Sequence, residues 1–248
     1  MGKPAPTVTY TFLGRPSPAR RPANRTSTSD TPVLAAFDPD NAVVWANEDF
    51  ATNVERNRNA RRVLRDEDTE TLAHEFARAL QHRDIFREHF HHEDRVAALR
   101  QRRAQTIMRS TPESYANRKL IEERRAEEVV QRIRMEIVDS FGRAQRGSRP
   151  LTDDMSAKAE EWADEVMRTL RTDYLSSARK EFSRLDGSLN APEGNGGNGD
   201  AELPSQQGEI YDVGKIRWLF PTRLSPTLTD LVDEIIELEI KIVIANSR

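Results

Sequence analysis

Two stretches of unbroken helical periodicity, residues 112–145 and 152–185, stand on either side of the breaker Gly147-Ser148-Arg149-Pro150. At about 1.5 Å of rise per residue each stretch makes a rod of about 50 Å. So short a connection leaves the two rods little choice but to lie side by side and antiparallel. The spacing therefore predicts a helical hairpin over residues 112–185. In its first arm Ala126, Val130, Ile133, Ile137 and Phe141 recur at helical intervals. In its second, Met155, Ala159, Trp162, Val166, Leu170, Tyr174, Phe182 and Leu185 do the same. Opposite charges four residues apart line the first arm: Arg118–Glu122, Lys119–Glu123, Arg124–Glu128, Glu128–Arg132 and Arg132–Glu136. Thr111 is suited to cap this arm, and Pro112 to its first position, where a missing N–H costs nothing.

The remainder divides by composition. Residues 1–44 hold seven of the 13 prolines among Ser, Thr and Ala, and read as a flexible basic arm. Within it, residues 7–12 alternate as a short strand would. Residues 45–185 form the expected helical core. Asn47 is a fitting N-cap for a first helix, with Glu48 and Asp49 behind it. A second helix from Thr69 carries Leu72, Phe76, Leu80, Phe86 and Phe90 on one face. Residues 186–208, rich in Gly and Asn, read as a disordered linker. Residues 209–248 form a C-terminal segment, with a weak strand able to pair with residues 7–12 and then an apolar helix capped by Ser225. Residues 238–244 also alternate as a strand, but are assigned to that helix. The fold class expected is mainly α: an elongated helical bundle built on the hairpin, with at most one or two short peripheral strands.

Charge is distributed unevenly. The net charge of −3 divides into +5 over the first 150 residues and −8 over the rest. Several arginines gather in clusters, and of these only Arg143, Arg146 and Arg149 stand without an acid nearby in sequence. Arg58, Arg61, Arg62 and Arg65 have helical spacing along one face, Arg100 and Arg103 follow in a later helix, and Arg143, Arg146 and Arg149 crowd the hairpin tip. An ordinary solvated face explains such residues as well as a phosphate-binding stripe does. No aromatics are interleaved with them, so contact to nucleic acid is expected at the backbone rather than the bases. Leu228, Leu231, Ile235, Leu238 and Ile242 follow the narrow seam of a coiled coil and are the candidate self-association residues.

Catalytic and metal chemistry find little foothold. With no cysteine, the chain has no disulfide framework, zinc–thiolate site or thiol nucleophile. The glycines of residues 194–199 lack the strand and the Lys-Ser/Thr of a phosphate loop. All five histidines, His74, His82, His89, His91 and His92, fall close together. Glu88 and His91 have the Glu-x-x-His spacing of a carboxylate-bridged dimetal site, but no second copy exists. No metal, cofactor or small-molecule substrate is expected, and no enzyme activity. Without a long apolar run or an apolar leader, the chain reads as a soluble, non-secreted, intracellular protein, or one within an assembled particle.

The function these features favour is a non-enzymatic assembly protein that self-associates and coats or organises RNA or another polyanion. In layout the chain is similar to the all-helical coat proteins of filamentous viruses. In the Pro/Ala/Ser content of its arm it is similar to proteins that coat the genomes of some fungal viruses. Neither likeness is carried by a motif. The alternatives are a helical scaffold or adaptor that binds only proteins, and a His-rich metal-binding helical protein.

Overall fold

The computed structural model describes residues 35–146, 153–189 and 210–244. The chain is mainly helical, with a small four-stranded sheet. Strands β1 (Ala35–Asp38) and β2 (Val43–Ala46) precede helices α1 (Glu48–Ala60), α2 (Asp66–Leu80), α3 (Arg83–Glu88) and α4 (His92–Met108). The long helices α5 (Pro112–Arg146) and α6 (Asp153–Leu189) follow. Then come β3 (Ile210–Asp212), α7 (Val213–Ile216), two 3-10 turns, α8 (Pro226–Glu237) and β4 (Lys241–Ile244). The expected strand over residues 7–12, the body of the arm and most of the linker lie outside the described residues.

Three helix starts follow their sequence signals, whereas α2 begins at Asp66, three residues before the expected Thr69. Asn47 accepts from the Phe50 N–H at 3.0 Å, Thr111 Oγ1 from the Ser114 N–H at 3.2 Å, and Ser225 Oγ from the Leu228 N–H at 3.0 Å. The long pair lies antiparallel. Glu113 meets Arg179 at 3.3 Å, the Tyr174 hydroxyl donates to the Lys119 carbonyl at 3.2 Å, and Arg124 meets Asp164 at 2.6 Å. Among the described residues no helix is long and apolar enough to cross a membrane.

Several expectations are corrected. Among the described residues there are four strands rather than one or two, and the sheet lies in the core rather than at its edge. Its order is β1-β2-β4-β3, with β1–β2 and β4–β3 antiparallel and β2–β4 parallel. Residues 35–46, assigned to the flexible arm up to residue 44, form a hairpin. Asp38 stabilises its turn by accepting from the Asp40 N–H at 2.8 Å and from the Trp45 indole at 3.0 Å. The segment after α8 is a strand and not helix: Glu237 ends the helix and Glu239 takes a left-handed φ of 53°. Residues 241–244, with β-branched Ile242, Val243 and Ile244, then pair on both sides in the middle of the sheet. Helix α6 continues to Leu189, through the first residues assigned to the linker. The helix expected to carry Phe90 breaks twice, after Leu80 and after Glu88, leaving Phe90 82% exposed. Phe141, placed on the buried stripe, is exposed too, whereas Val130, Ile133 and Ile137 are buried.

The core centres on α2. Leu72, Ala73, Phe76 and Ala79 are fully buried, joined by Val44 and Ile242 of the sheet, Val232 and Ile235 of α8, and Ala126 and Ile133 of α5. The residues expected to form a self-association seam, Leu228, Leu231, Ile235, Leu238 and Ile242, are all buried within this same chain. A seam read as a coiled-coil face is thus used intramolecularly, because a 12-residue helix is short enough to be covered by α2 and α5.

A buried ionic network and a candidate nucleic-acid interface

Beside the apolar contact of α2 with α5 runs an ionic one. Glu70, His74 and Arg78 recur every four residues on α2 and so share a face; Glu123, Glu127 and Gln131 do the same on α5. The His74 Nδ1 lies 3.1 Å from Glu75 Oε1, and its Nε2 lies 3.0 Å from Glu123 Oε1. The second contact is poorly aligned for a hydrogen bond and is best written as an ion pair. Arg78 reaches both carboxylates, at 3.4 Å and 3.8 Å. Arg134 forks onto Glu70 at 2.8 Å and 2.6 Å, and the Gln131 amide donates to Glu127 at 2.5 Å. The network also ties in the outer layers. Glu75 accepts the Phe37 N–H of β1 at 2.6 Å, and the Tyr174 hydroxyl of α6 lies 3.3 Å from Glu123.

Burial opposes charge on His74, but the carboxylates of Glu123 and Glu75 outweigh it and push its pKa up to about 10. Burial likewise opposes charge on Glu75, yet Arg78 and His74 hold its carboxyl below the usual range. Glu127 goes the other way, since burial raises its pKa against the weaker pull of His74 and Gln131. This constellation has the residue types of acid–base catalysis, but access decides against that use. His74 is 2% exposed, and Glu123 and Glu127 are 1% exposed. No substrate reaches them unless α2 and α5 separate.

The histidines expected together are distributed apart. His74 is buried and charged. His82 packs against the Phe37 ring, with centroids 5.8 Å apart, and burial followed by the Lys119 charge lowers its pKa to about 4. His89, His91 and His92 lie at or beyond the break between α3 and α4. That break also destroys the helical relation of Glu88 to His91. No group of three or more His, Asp or Glu side chains among the described residues is arranged to hold a metal ion.

The arginines separate into committed and uncommitted groups. Arg103 spans Asp40 at 2.6 Å and Glu181 at 2.7 Å and is only 16% exposed at its side chain, so its charge is spent inside the fold. Arg65 forks onto Asp68 at 3.2 Å and 3.3 Å. Arg58 stands 3.7 Å from Glu55 on an exposed surface. Arg61, Arg62 and Arg100 are exposed and have no ion-pair partner among the described residues. The single helical face expected for Arg58, Arg61, Arg62 and Arg65 does not exist, because α1 ends at Ala60. Arg61 closes it in the left-handed region at φ 52°, and Arg65 already begins α2. Arg143 and Arg146 belong to the last turns of α5, with side chains outside the described set, and Arg149 lies outside altogether.

The fold gives this uncommitted group an aromatic neighbour. The Leu64 N–H donates to the Leu219 carbonyl at 2.7 Å, laying the segment after α1 against the turn Arg217–Leu219. Leu64 and Leu219 are buried, whereas their neighbours Val63 and Trp218 are 41% and 47% exposed. The exposed Arg61 and Arg62 thus lie three and two residues from a backbone contact with the turn that carries the half-exposed Trp218. More than 150 residues separate them in sequence, and nothing in the local pattern of either segment signals the other.

Compared with protein-family models, with curated proteins and with solved structures, the chain has no match in any of the three. The class it belongs to is defined by its own geometry: a mainly helical chain with a small mixed sheet and a buried ionic contact between two helices.

Proposed function

We propose that this is a non-enzymatic protein that binds and organises single-stranded nucleic acid. The observation that carries the reading is the backbone contact of Leu64 with Leu219, which brings the segment of Arg61 and Arg62 to that of the half-exposed Trp218. Guanidinium groups with no carboxylate partner neutralise phosphates, and a half-exposed indole offers a face on which a base stacks without regard to sequence. Arg58 is exposed but stands 3.7 Å from Glu55, and Arg100 is an exposed cation on α4. Arg65 and Arg103 drop out of the contact set because acids already hold them. Self-association, if it accompanies binding, uses some surface other than Leu228–Ile242, whose apolar side chains are enclosed.

Binding of a fluorescein-labelled oligouridine, measured by anisotropy over a series of salt concentrations, tests the reading. The expected log–log slope falls by about 1.4 in the Arg61→Ala/Arg62→Ala variant, at about 0.7 per phosphate contact on a single strand. Trp218→Leu weakens the oligouridine by roughly ten- to a hundred-fold, in line with about 1–3 kcal/mol per stacked base. It leaves binding of heparin, which has no bases, unchanged. Absence of oligouridine binding at low salt removes the proposal in favour of a scaffold that binds only proteins.

A further inference from the structure

We infer that a groove on the opposite chemistry, apolar-floored and cationic-rimmed, is a docking site for an acidic peptide with an aliphatic anchor. It lies where α2, α5 and α8 meet. Ala77, Leu80, Val129 and Leu231 form its floor, and Arg83, Arg125 and Glu234 form its rim. Its volume is about 190 Å³, below the roughly 300–1,000 Å³ typical of sites that enclose a whole small molecule. That size suits one or two aliphatic side chains presented by a partner chain, in the manner of a short peptide in a helix-lined groove.

Charge complementarity fixes the sign of the partner. Glu234 is shared by two guanidinium groups, Arg87 at 3.0 Å and Arg83 at 4.0 Å. Arg125, across the groove on α5, is exposed and has no ion-pair partner among the described residues. The rim thus holds two arginines, Arg83 and Arg125, against the one carboxylate of Glu234, which Arg87 also engages from outside it, and the surplus is positive. The Gln81 amide is already committed to the Glu122 carbonyl at 2.7 Å, so the rim presents cations rather than neutral donors. A nucleic-acid strand matches the rim but has no aliphatic group for the floor. The chain's first 34 residues carry a surplus of basic side chains and so do not complement the rim. A leucine flanked by aspartate or glutamate satisfies both parts.

The probe is a fluorescein-labelled ten-residue peptide of alternating glutamate and leucine, added to the full chain and followed by anisotropy. The expected result is saturable binding, weakened at least ten-fold by Arg83→Glu/Arg125→Glu and at least five-fold by Val129→Asp. Arg61→Ala/Arg62→Ala leaves it unchanged, which keeps this site separate from the nucleic-acid surface. Circular dichroism establishes that each variant folds, and Arg125→Glu alone, at an exposed position, serves if Val129→Asp does not. Equal binding of a leucine-free glutamate peptide overturns the inference by making the contact one of charge alone. Equal binding of a neutral leucine peptide overturns it by making the contact merely apolar. A concentration-dependent dimer that Arg83→Glu/Arg125→Glu abolishes also overturns it, and assigns the groove to a second copy of this chain.

Discussion

His74 holds its charge where water does not reach it, and two carboxylates are the reason. Removing one partner from a buried ion pair leaves the others uncompensated, at a cost of about 3–5 kcal/mol. His74→Gln is therefore expected to lower the free energy of urea unfolding by about that amount, with the slope unchanged. Two histidines also set opposite limbs of the pH profile. His74 has a pKa of about 10 in the fold and about 6.5 in the unfolded chain. Its contribution is complete below pH 6.5 and is lost as pH rises from 6.5 to 10. His82, lowered to about 4, contributes fully above pH 6.5, and that contribution is lost as pH falls from 6.5 toward 4. Glu75, held below the carboxylate range, adds a further loss at the acid end. Stability is thus expected to peak near pH 6–7 in denaturant titrations run from pH 4 to 10. His82→Gln should flatten the acid limb above about pH 5, and His74→Gln the alkaline one. Neither residue's environment was legible from its neighbours: on the helical wheel His74 falls toward the polar side of α2, and α5 supplies the glutamate that makes this side an interior.

Element boundaries divide by mechanism. Starts were readable because a cap is a local bond, made by Asn47, Thr111 or Ser225 to an N–H three residues on. Ser225 does more than its position announces. The Glu136 carboxylate of α5 bonds Ser225 Oγ, the Thr227 N–H at 3.0 Å and Thr227 Oγ1 at 2.7 Å, placing a negative charge at the start of α8. Ser225→Ala removes the cap and one of the bonds that satisfy this buried carboxylate. It is expected to cost about 2 kcal/mol, the upper end for an N-cap, read from the denaturation midpoint. Helix ends were less readable. Ala60 is followed by Arg61 rather than by glycine in the left-handed position, so the periodicity of the arginines ran on past the true end of α1. Arg61→Gly is expected to stabilise the chain by about 0.5–1 kcal/mol, since glycine adopts that backbone without strain, and it also removes a proposed phosphate contact. Stability and oligouridine affinity should therefore move in opposite directions in this one variant.

For the molecule as a whole, the sheet is the structure's closure. β4, from the last described residues, lies between β2 and β3 and brings the two ends of the described chain together. Ile242→Ala, at a fully buried position in that strand, is expected to cost about 2–5 kcal/mol. Because one core cluster joins the sheet to α2, α5 and α8, far-ultraviolet circular dichroism and tryptophan fluorescence should shift together; separate transitions would mean that the long helices unfold on their own. The sequence by itself determined the long antiparallel helices, their caps and the apolar stripe of α8, because periodicity, capping and short connections act over a few residues. Only the tertiary structure decided what those stripes face. It turned the seam of α8 inward, made residues 241–244 a central strand, set Glu123 and Glu127 in an interior, took Arg103 out of the exposed set, and brought the segment of Trp218 to that of Arg61 and Arg62. Each of these depends on contacts between residues about 50 to 200 apart in sequence. Strand pairing, desolvation and charge neutralisation come from whatever lies opposite, and a linear pattern does not name its opposite number.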